Sequence, residues 1–392
     1  MAHEQRNSAS GRAQQANQYG GVQHNIFVQS GPDPLPTESI AVPATAYQVR
    51  GRDQLLVELA DEIHGRVTVL YGFRGVGTST VAGALARRAG ARTWFVRAAD
   101  TSGLRAGMTS LAYELGASDN EIRARHLADL VWQRLDALDT RWLLVVDGVT
   151  DPGILGTDGT SYLRTPRTHD GALVVTTQND RWPGWTTVRR VDALTPEPGG
   201  RVLLDRAPAA GSVESAVRLS AQYGNFPAAL DMIGAELAAG ADGVTTCDAY
   251  LARYAGAGYA DRIEDMLDDP RIGLTNWLGS IGAHDFTADR LLNVLASLDR
   301  APIPLSALLA DQASLATAGG LPDGITRDEV VAALRELVSR GTAAVHDAGP
   351  PVAGPVVLVH PMMRAWIRAE FAAGYLRTPG AGRGRQRGAG QR

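Results

Sequence analysis

The chain has 392 residues, enough at roughly 100 to 200 residues per domain for two or three domains that each bury a core, which excludes a small disulfide scaffold. Apolar residues at 44% and charged residues at 20% are ordinary globular usage and argue against a disordered or fibrous chain. A net charge of -4 supplies no general attraction to nucleic acid or to an anionic membrane.

All 38 basic side chains are arginine, because no lysine occurs anywhere. Schiff-base chemistry, a lysine general base and a lysine phosphate clamp are therefore excluded. The single cysteine, Cys247, has no partner for an intramolecular disulfide and no suitably spaced histidines for a zinc site. The N-terminus lacks a basic-then-apolar signal, and no apolar run approaches a membrane span of roughly 18 residues. A cytoplasmic protein without membrane contact is expected.

In chain order, residues 1–45 are rich in Gln, Asn, Ser, Gly and Pro. Their one apolar cluster, Ile26-Phe27-Val28, is too small to offset ordering entropy, so a disordered leader is expected. From Arg52 the pattern becomes amphipathic, with Leu55, Leu59 and Ile63 on one helical face. Val67–Tyr71 follows as a buried strand, then a glycine-rich turn, then a helix carrying Val81 and Leu85. Further strands are expected at Trp94–Val96, Trp142–Val146, Ala172–Val175 and Val188–Val191, which implies a parallel α/β sheet. Val213–Ala238 and Cys247–Met266 carry helical periodicity and predict a helical subdomain. From Leu291 the order is helix, turn, two helices, β-rich runs at Ala343–His346 and Pro355–Val359, and a last helix from Pro361, which suggests a winged helix. Leu376–Arg392 holds Arg377, Arg383, Arg385, Arg387 and Arg392 without an acid. A solvated, disordered tail is the favoured reading, with RNA or membrane contact behind it.

The glycine-rich turn reads Gly72-Phe73-Arg74-Gly75-Val76-Gly77-Thr78-Ser79-Thr80, placed between strand and helix where a phosphate-binding loop belongs. Its glycines would let backbone N–H groups converge on a phosphate at the helix N-terminus, and the Ser79 hydroxyl could meet Mg2+. Thr78 stands where a lysine would reach the β- and γ-phosphates. Losing a charge-assisted hydrogen bond, roughly 1.5–3 kcal/mol, weakens binding by about one to two orders of magnitude. Arg74, at the loop tip, is a candidate substitute cation. Trp142-Leu143-Leu144-Val145-Val146-Asp147 is an apolar strand ending in a carboxylate, which suits Asp147 to Mg2+. The next position, where a second acid would help activate water, is Gly148.

These residues resemble the NB-ARC branch of the STAND NTPases, the switch modules of plant resistance proteins, animal apoptosis activators and many actinobacterial regulators. The likeness runs from Tyr47 to Tyr375. Val49-Arg50-Gly51-Arg52-Asp53 is similar to the family's opening motif, which lays Val49 and Arg52 against the nucleotide. Val174-Val175-Thr176-Thr177-Gln178 resembles its sensor strand, with Gln178 in place of the arginine that faces the γ-phosphate. Gly224-Asn225-Phe226-Pro227-Ala228-Ala229-Leu230 is similar to the segment whose proline packs on the base, which makes Pro227 a candidate adenine contact; taken alone, it reads as a proline opening a helix. Val359-His360-Pro361-Met362-Met363-Arg364 resembles the segment whose histidine approaches the β-phosphate of ADP in the closed state.

The expected fold is therefore α/β, a P-loop parallel sheet followed by a helical subdomain and a winged-helix domain. The boundaries are a leader at 1–45, the nucleotide-binding domain at 46–205, the helical subdomain at 206–275, the winged helix at 276–375 and the tail at 376–392. The resemblance implies an ATP/ADP-binding regulatory switch, with Mg2+ at Ser79 and Asp147, an unidentified sensor or effector protein as partner, and room for a homo-oligomer when activated. Thr78, Gly148 and Gln178 all replace groups that handle the γ-phosphate or the attacking water, so little hydrolysis is expected. The alternatives are an active ATPase switch that uses Arg74 or another arginine, a DNA-binding regulator, and a nucleotide-free scaffold. DNA is disfavoured because Arg327, Arg335 and Arg340 are matched by Asp328, Glu329 and Glu336 in the recognition-like segment.

Overall fold

The computed structural model describes residues 14–19, 22–27, 34–44, 48–156, 161–255, 262–263, 265–267, 272, 286–298, 303–310, 321–322, 324–339, 342–347 and 354–372. The expected tail at 376–392 lies outside them. The leader is not uniformly irregular. Gln14–Tyr19 (β1) and Val22–Phe27 (β2) pair antiparallel, with Tyr19 opposite Val22. Residues 34–44 lie along the edge of the main sheet. Ile40 is buried, and its carbonyl accepts the Phe95 N–H at 2.8 Å. Glu38 exchanges two hydrogen bonds with the Ser110 hydroxyl, at 2.9 and 2.7 Å. These contacts are made with residues far along the chain, so local composition did not announce them.

The main sheet contains Val67–Tyr71 (β3), Arg92–Arg97 (β4), Trp142–Val149 (β5), Gly171–Thr177 (β6) and Thr187–Arg190 (β7). It is all-parallel in the order β4-β5-β6-β3-β7. Side chains alternate between two cores, as a pleated strand requires. Leu70, Phe95, Leu143, Val145, Ala172 and Val174 face α1 (Asp53–Glu62) and α2 (Thr78–Arg88). Val69, Trp94, Leu144, Val146 and Val175 face α3 (Thr101–Glu114) and α5 (Leu127–Asp136). Between those two helices lies α4 (Asp119–Ala124), opened by a reciprocal capping box of Ser118 and Glu121.

Four helices follow, α6 (Pro196–Arg206), α7 (Val213–Gln222), α8 (Pro227–Ala239) and α9 (Cys247–Arg253). The expected helical run Val213–Ala238 is broken at Gly224 and Asn225, whose φ values are 64 and 52. Positive φ stops α7, and Pro227, which has no N–H to leave unsatisfied, starts α8. Part of the run Cys247–Met266 lies outside the described residues.

Beyond these are α10 (Phe286–Ser297), β8 (Ile303–Pro304), α11 (Leu305–Leu308), α12 (Arg327–Ser339), β9 (Ala343–Asp347), β10 (Pro355–Val359) and α13 (Pro361–Ala372). The strands form an antiparallel sheet in the order β8-β10-β9. Arginines of α13 cap the end of α10: Arg364 donates to the Leu298 carbonyl at 2.6 Å and Arg368 to that of Ala296 at 3.1 Å. Val76 of the glycine-rich loop, Leu230 of α8 and Met362 of α13 belong to one continuous apolar cluster.

Candidate functional site

The loop between β3 and α2 is shaped by its glycines. Gly75 and Gly77 have φ values of 87 and 98, conformations that cost a residue with a Cβ. A Cβ on Gly72 would lie 2.5 Å from the Val191 carbonyl oxygen and 2.8 Å from Val76 Cγ1, so the strand can leave the sheet there only without a side chain. The first intrahelical bond of α2 runs from the Val81 N–H to the Gly77 carbonyl, at 2.9 Å, and no side chain caps the helix. The N–H groups of its first turn therefore remain for a ligand, at the positive end of the helix dipole. Thr78 is half-buried there, while Ser79, Thr80 and the Arg74 side chain are exposed. The Arg74 side chain makes no hydrogen bond or ion pair among the described residues.

Three distant segments close on this loop. The Ala228 N–H, in the first turn of α8, donates to the Gly75 carbonyl at 3.1 Å, which brings the adjoining Pro227 to the loop. From the β10–α13 junction, the His360 ring sits 4.7 Å from Phe73 of the loop and 4.7 Å from Phe226, the residue before Pro227. Such edge and tilted contacts are favourable aromatic geometry. Arg52, from the segment before α1, is buried and donates to the carbonyls of Val76 at 3.2 Å and Asp192 at 2.5 Å. Burial lowers its pKa, and the charge of Asp192 opposes that shift. Val49 is half-buried against the same core, and neighbouring Arg50 makes two 2.8 Å bonds to Asp205.

His360 is 1% exposed. Its Nδ1 accepts the Met362 N–H at 3.2 Å, which assigns the ring proton to Nε2, a buried atom with no full hydrogen bond whose proton is favoured by a main-chain contact from Arg74. Burial pushes the imidazole down to about 3, and the Arg74 main chain only partly offsets this. The ring is neutral, and a donor this weakly paired in such surroundings costs up to about 1–3 kcal/mol.

Asp147 lies at the C-terminal end of β5, on the loop's side of the sheet. The strand β6 separates β5 from β3, a spacing of about 10 Å. The Asp147 carboxylate is half-buried, and its Oδ1 accepts the Thr176 hydroxyl at 2.6 Å. Gly148 is a bulge residue at φ 78, where the β5–β6 register shifts between Val146 and Val149. The position where a second acid would stand therefore has a backbone that disfavours one. Gln178 is exposed just beyond β6.

Turn glycines at positive φ, an uncapped helix start and a buried imidazole donor without a full hydrogen bond suit a phosphate. Among the described residues, no group of three or more His, Cys, Asp or Glu could hold a metal by itself. A divalent cation at Ser79 and Asp147 would thus need oxygens from a phosphate ligand, the usual arrangement for Mg2+. Thr176, Phe73 and Phe226 stand inside the motifs, but the motifs assign them no role. Only the Thr-Thr pair closing an otherwise apolar strand signalled the first of these.

No family model matches this chain, and no curated protein does. Among solved structures, the chain is similar to a STAND protein with a tetratricopeptide-repeat sensor from Pyrococcus horikoshii, at 15% identity and a TM-score of 0.36. That match covers 86% of this chain and 44% of the other, so this chain spans under half of its length. The ORC1 protein of Aeropyrum pernix, solved with DNA, matches at 16% identity and a TM-score of 0.38, over 86% and 96% of the two chains. The ORC2 protein of Aeropyrum pernix, in ADPNP and ADP complexes, matches at 14% identity and 0.42, over 83% and 96%. At these scores nothing about the site rests on the likenesses.

Proposed function

We propose that this protein is a nucleotide-binding regulatory switch of NB-ARC/STAND type, which takes ADP or ATP at the Gly72–Thr80 loop and signals by domain rearrangement with little hydrolysis. The observation that carries this reading is the convergence at the loop. Ala228 bonds Gly75, and His360 is held between Phe73 and Phe226, although these residues are separated by up to 287 positions along the chain (360 − 73). A ligand on the loop can therefore favour one packing of α8 and α13 over another, which is what population shift requires.

In this reading the first-turn N–H groups of α2 hold the phosphates, and His360 Nε2–H donates to a diphosphate. Pro227 and Val49 flank the base, while Arg52 fixes the loop through the Val76 carbonyl. Ser79 and Asp147 would hold Mg2+, which would supply neutralisation of the phosphate charge. Hydrolysis is weak because Thr78 and Gln178 bring no cation to the γ-phosphate and Gly148 brings no base. The oppositely charged side chains of α12 argue against DNA as the target.

Thermal-shift titration tests the proposal, since a ligand selective for the native state stabilises by RT ln(1 + [L]/Kd). ADP should raise the melting temperature of the wild type. Ser79→Ala should reduce the shift only with Mg2+, and His360→Ala should reduce the ADP shift more than the ATP shift. Absence of any shift up to about 1 mM nucleotide, a binding free energy weaker than about -4 kcal/mol, would overturn the proposal in favour of a scaffold.

A further inference from the structure

The end of β6 carries two adjacent threonines whose hydroxyls both turn toward β5. Thr177 donates to the Val149 carbonyl at 2.7 Å and accepts the Asn179 N–H at 3.0 Å. Thr176 donates to Asp147 Oδ1 at 2.6 Å and accepts the Gly148 N–H at 2.8 Å. A hydroxyl has one proton and two lone pairs, so Thr176 spends its proton on the carboxylate and a lone pair on the next peptide. This closes a small ring around the bulge. The bulge needs such support, because the extra residue loses its ladder partner, and Gly148 at φ 78 would otherwise leave its N–H unmet.

We infer that Thr176 is a positioning residue for a nucleotide-bound divalent cation: it fixes the Asp147 carboxylate through Oδ1 and leaves Oδ2 for the cation or one of its waters. The inference rests on the nucleotide reading above and deepens it. Unlike Ser79 and Asp147, Thr176 does not face the ligand; it acts through Asp147. The geometry separates its two bonds. The one to Gly148 shapes the strand, whereas the one to Asp147 sets the rotamer of a cation ligand, the work of an outer partner in metal sites.

The test uses the full chain and calorimetric titration of ADP, once in EDTA and once in saturating Mg2+. Wild type should bind ADP more tightly with Mg2+. Thr176→Val keeps the side-chain shape but removes both bonds, and it should cut the Mg2+-dependent gain about tenfold while the affinity in EDTA stays within about twofold. Thr176→Ser should restore the gain. Combining Thr176→Val with Asp147→Asn should lower the gain no further than Asp147→Asn alone, a non-additivity that general destabilisation does not produce. If Thr176→Val does not fold, Thr176→Ala serves the same arm.

The inference is overturned if Thr176→Val binds like wild type in both buffers, or weakens equally in both, or if wild type gains nothing from Mg2+. In that last case ADP binding in EDTA still stands, and with it the loop reading. A wild type that binds no ADP in either buffer overturns both.

Discussion

Replacing His360 by Phe should remove a defined part of the chain's acid sensitivity. The imidazole is 1% exposed, lies between Phe73 and Phe226, and titrates in the folded protein at about 3 against an ordinary 6.5. The unfolded chain therefore takes up a proton at this residue below about 6.5, while the folded chain does not until about 3. The stability that this histidine contributes in its neutral form is complete above the unfolded value and is lost as pH falls. In that window the slope is about 1.4 kcal/mol per pH unit, so going from pH 7 to pH 5 costs about 2 kcal/mol from this group. Phe keeps an aromatic ring in the cage and gives up the bond from the Met362 N–H and the contact with the Arg74 main chain, penalties that do not vary with pH. Urea unfolding at pH 7 and pH 5, followed by tryptophan fluorescence, gives the loss for each protein. The other titrating groups cancel in the difference, so wild type should lose about 2 kcal/mol more than His360→Phe. Equal losses, within about 0.5 kcal/mol, would refute a buried neutral imidazole at the loop.

Other substitutions probe the loop from different sides. Gly72→Ala places a methyl 2.5 Å from the Val191 carbonyl oxygen; it should destabilise by about 1–3 kcal/mol and abolish the ADP-induced thermal shift, both read in one melting series. Arg52→Met strands the carbonyls of Val76 and Asp192 and should lower stability by about 1–3 kcal/mol with or without nucleotide, by urea unfolding. Mg-ATP turnover should stay far below about 1 per second. It should not rise in Gly148→Glu, because φ 78 does not hold an L side chain in place as a base; a phosphate-release assay showing restored turnover would contradict this.

The parallel sheet, the loop and the Asp147 strand were legible because each is a local pattern, an apolar run closed by glycines or by a carboxylate. The convergence of Pro227 and His360 on the loop was implied by resemblance alone, since no local signal links residues so far apart. What stayed hidden depends on pairing between distant segments. Ile40 offers one apolar side chain in a polar stretch, and only its docking on Phe95 of the edge strand β4 gives it order. The β1–β2 pair reads as low-complexity Gln and Asn without strand-like alternation. The bulge at Gly148 appears in sequence only as a missing acid; its cause is a register shift against β6. Arg52 is expected to lie against a nucleotide, and its bonds to the carbonyls of Val76 and Asp192 have no local signal in the sequence.

Native mass spectrometry of the full chain titrated with ADP and Mg2+ tests the central claim most directly, because it counts ligands on the folded protein without relying on turnover. One ADP should add per chain at concentrations below about 1 mM, and the adduct should fall sharply in Gly72→Ala. A wild-type chain that carries no adenine nucleotide across that range, while holding its folded charge-state distribution, would contradict the account.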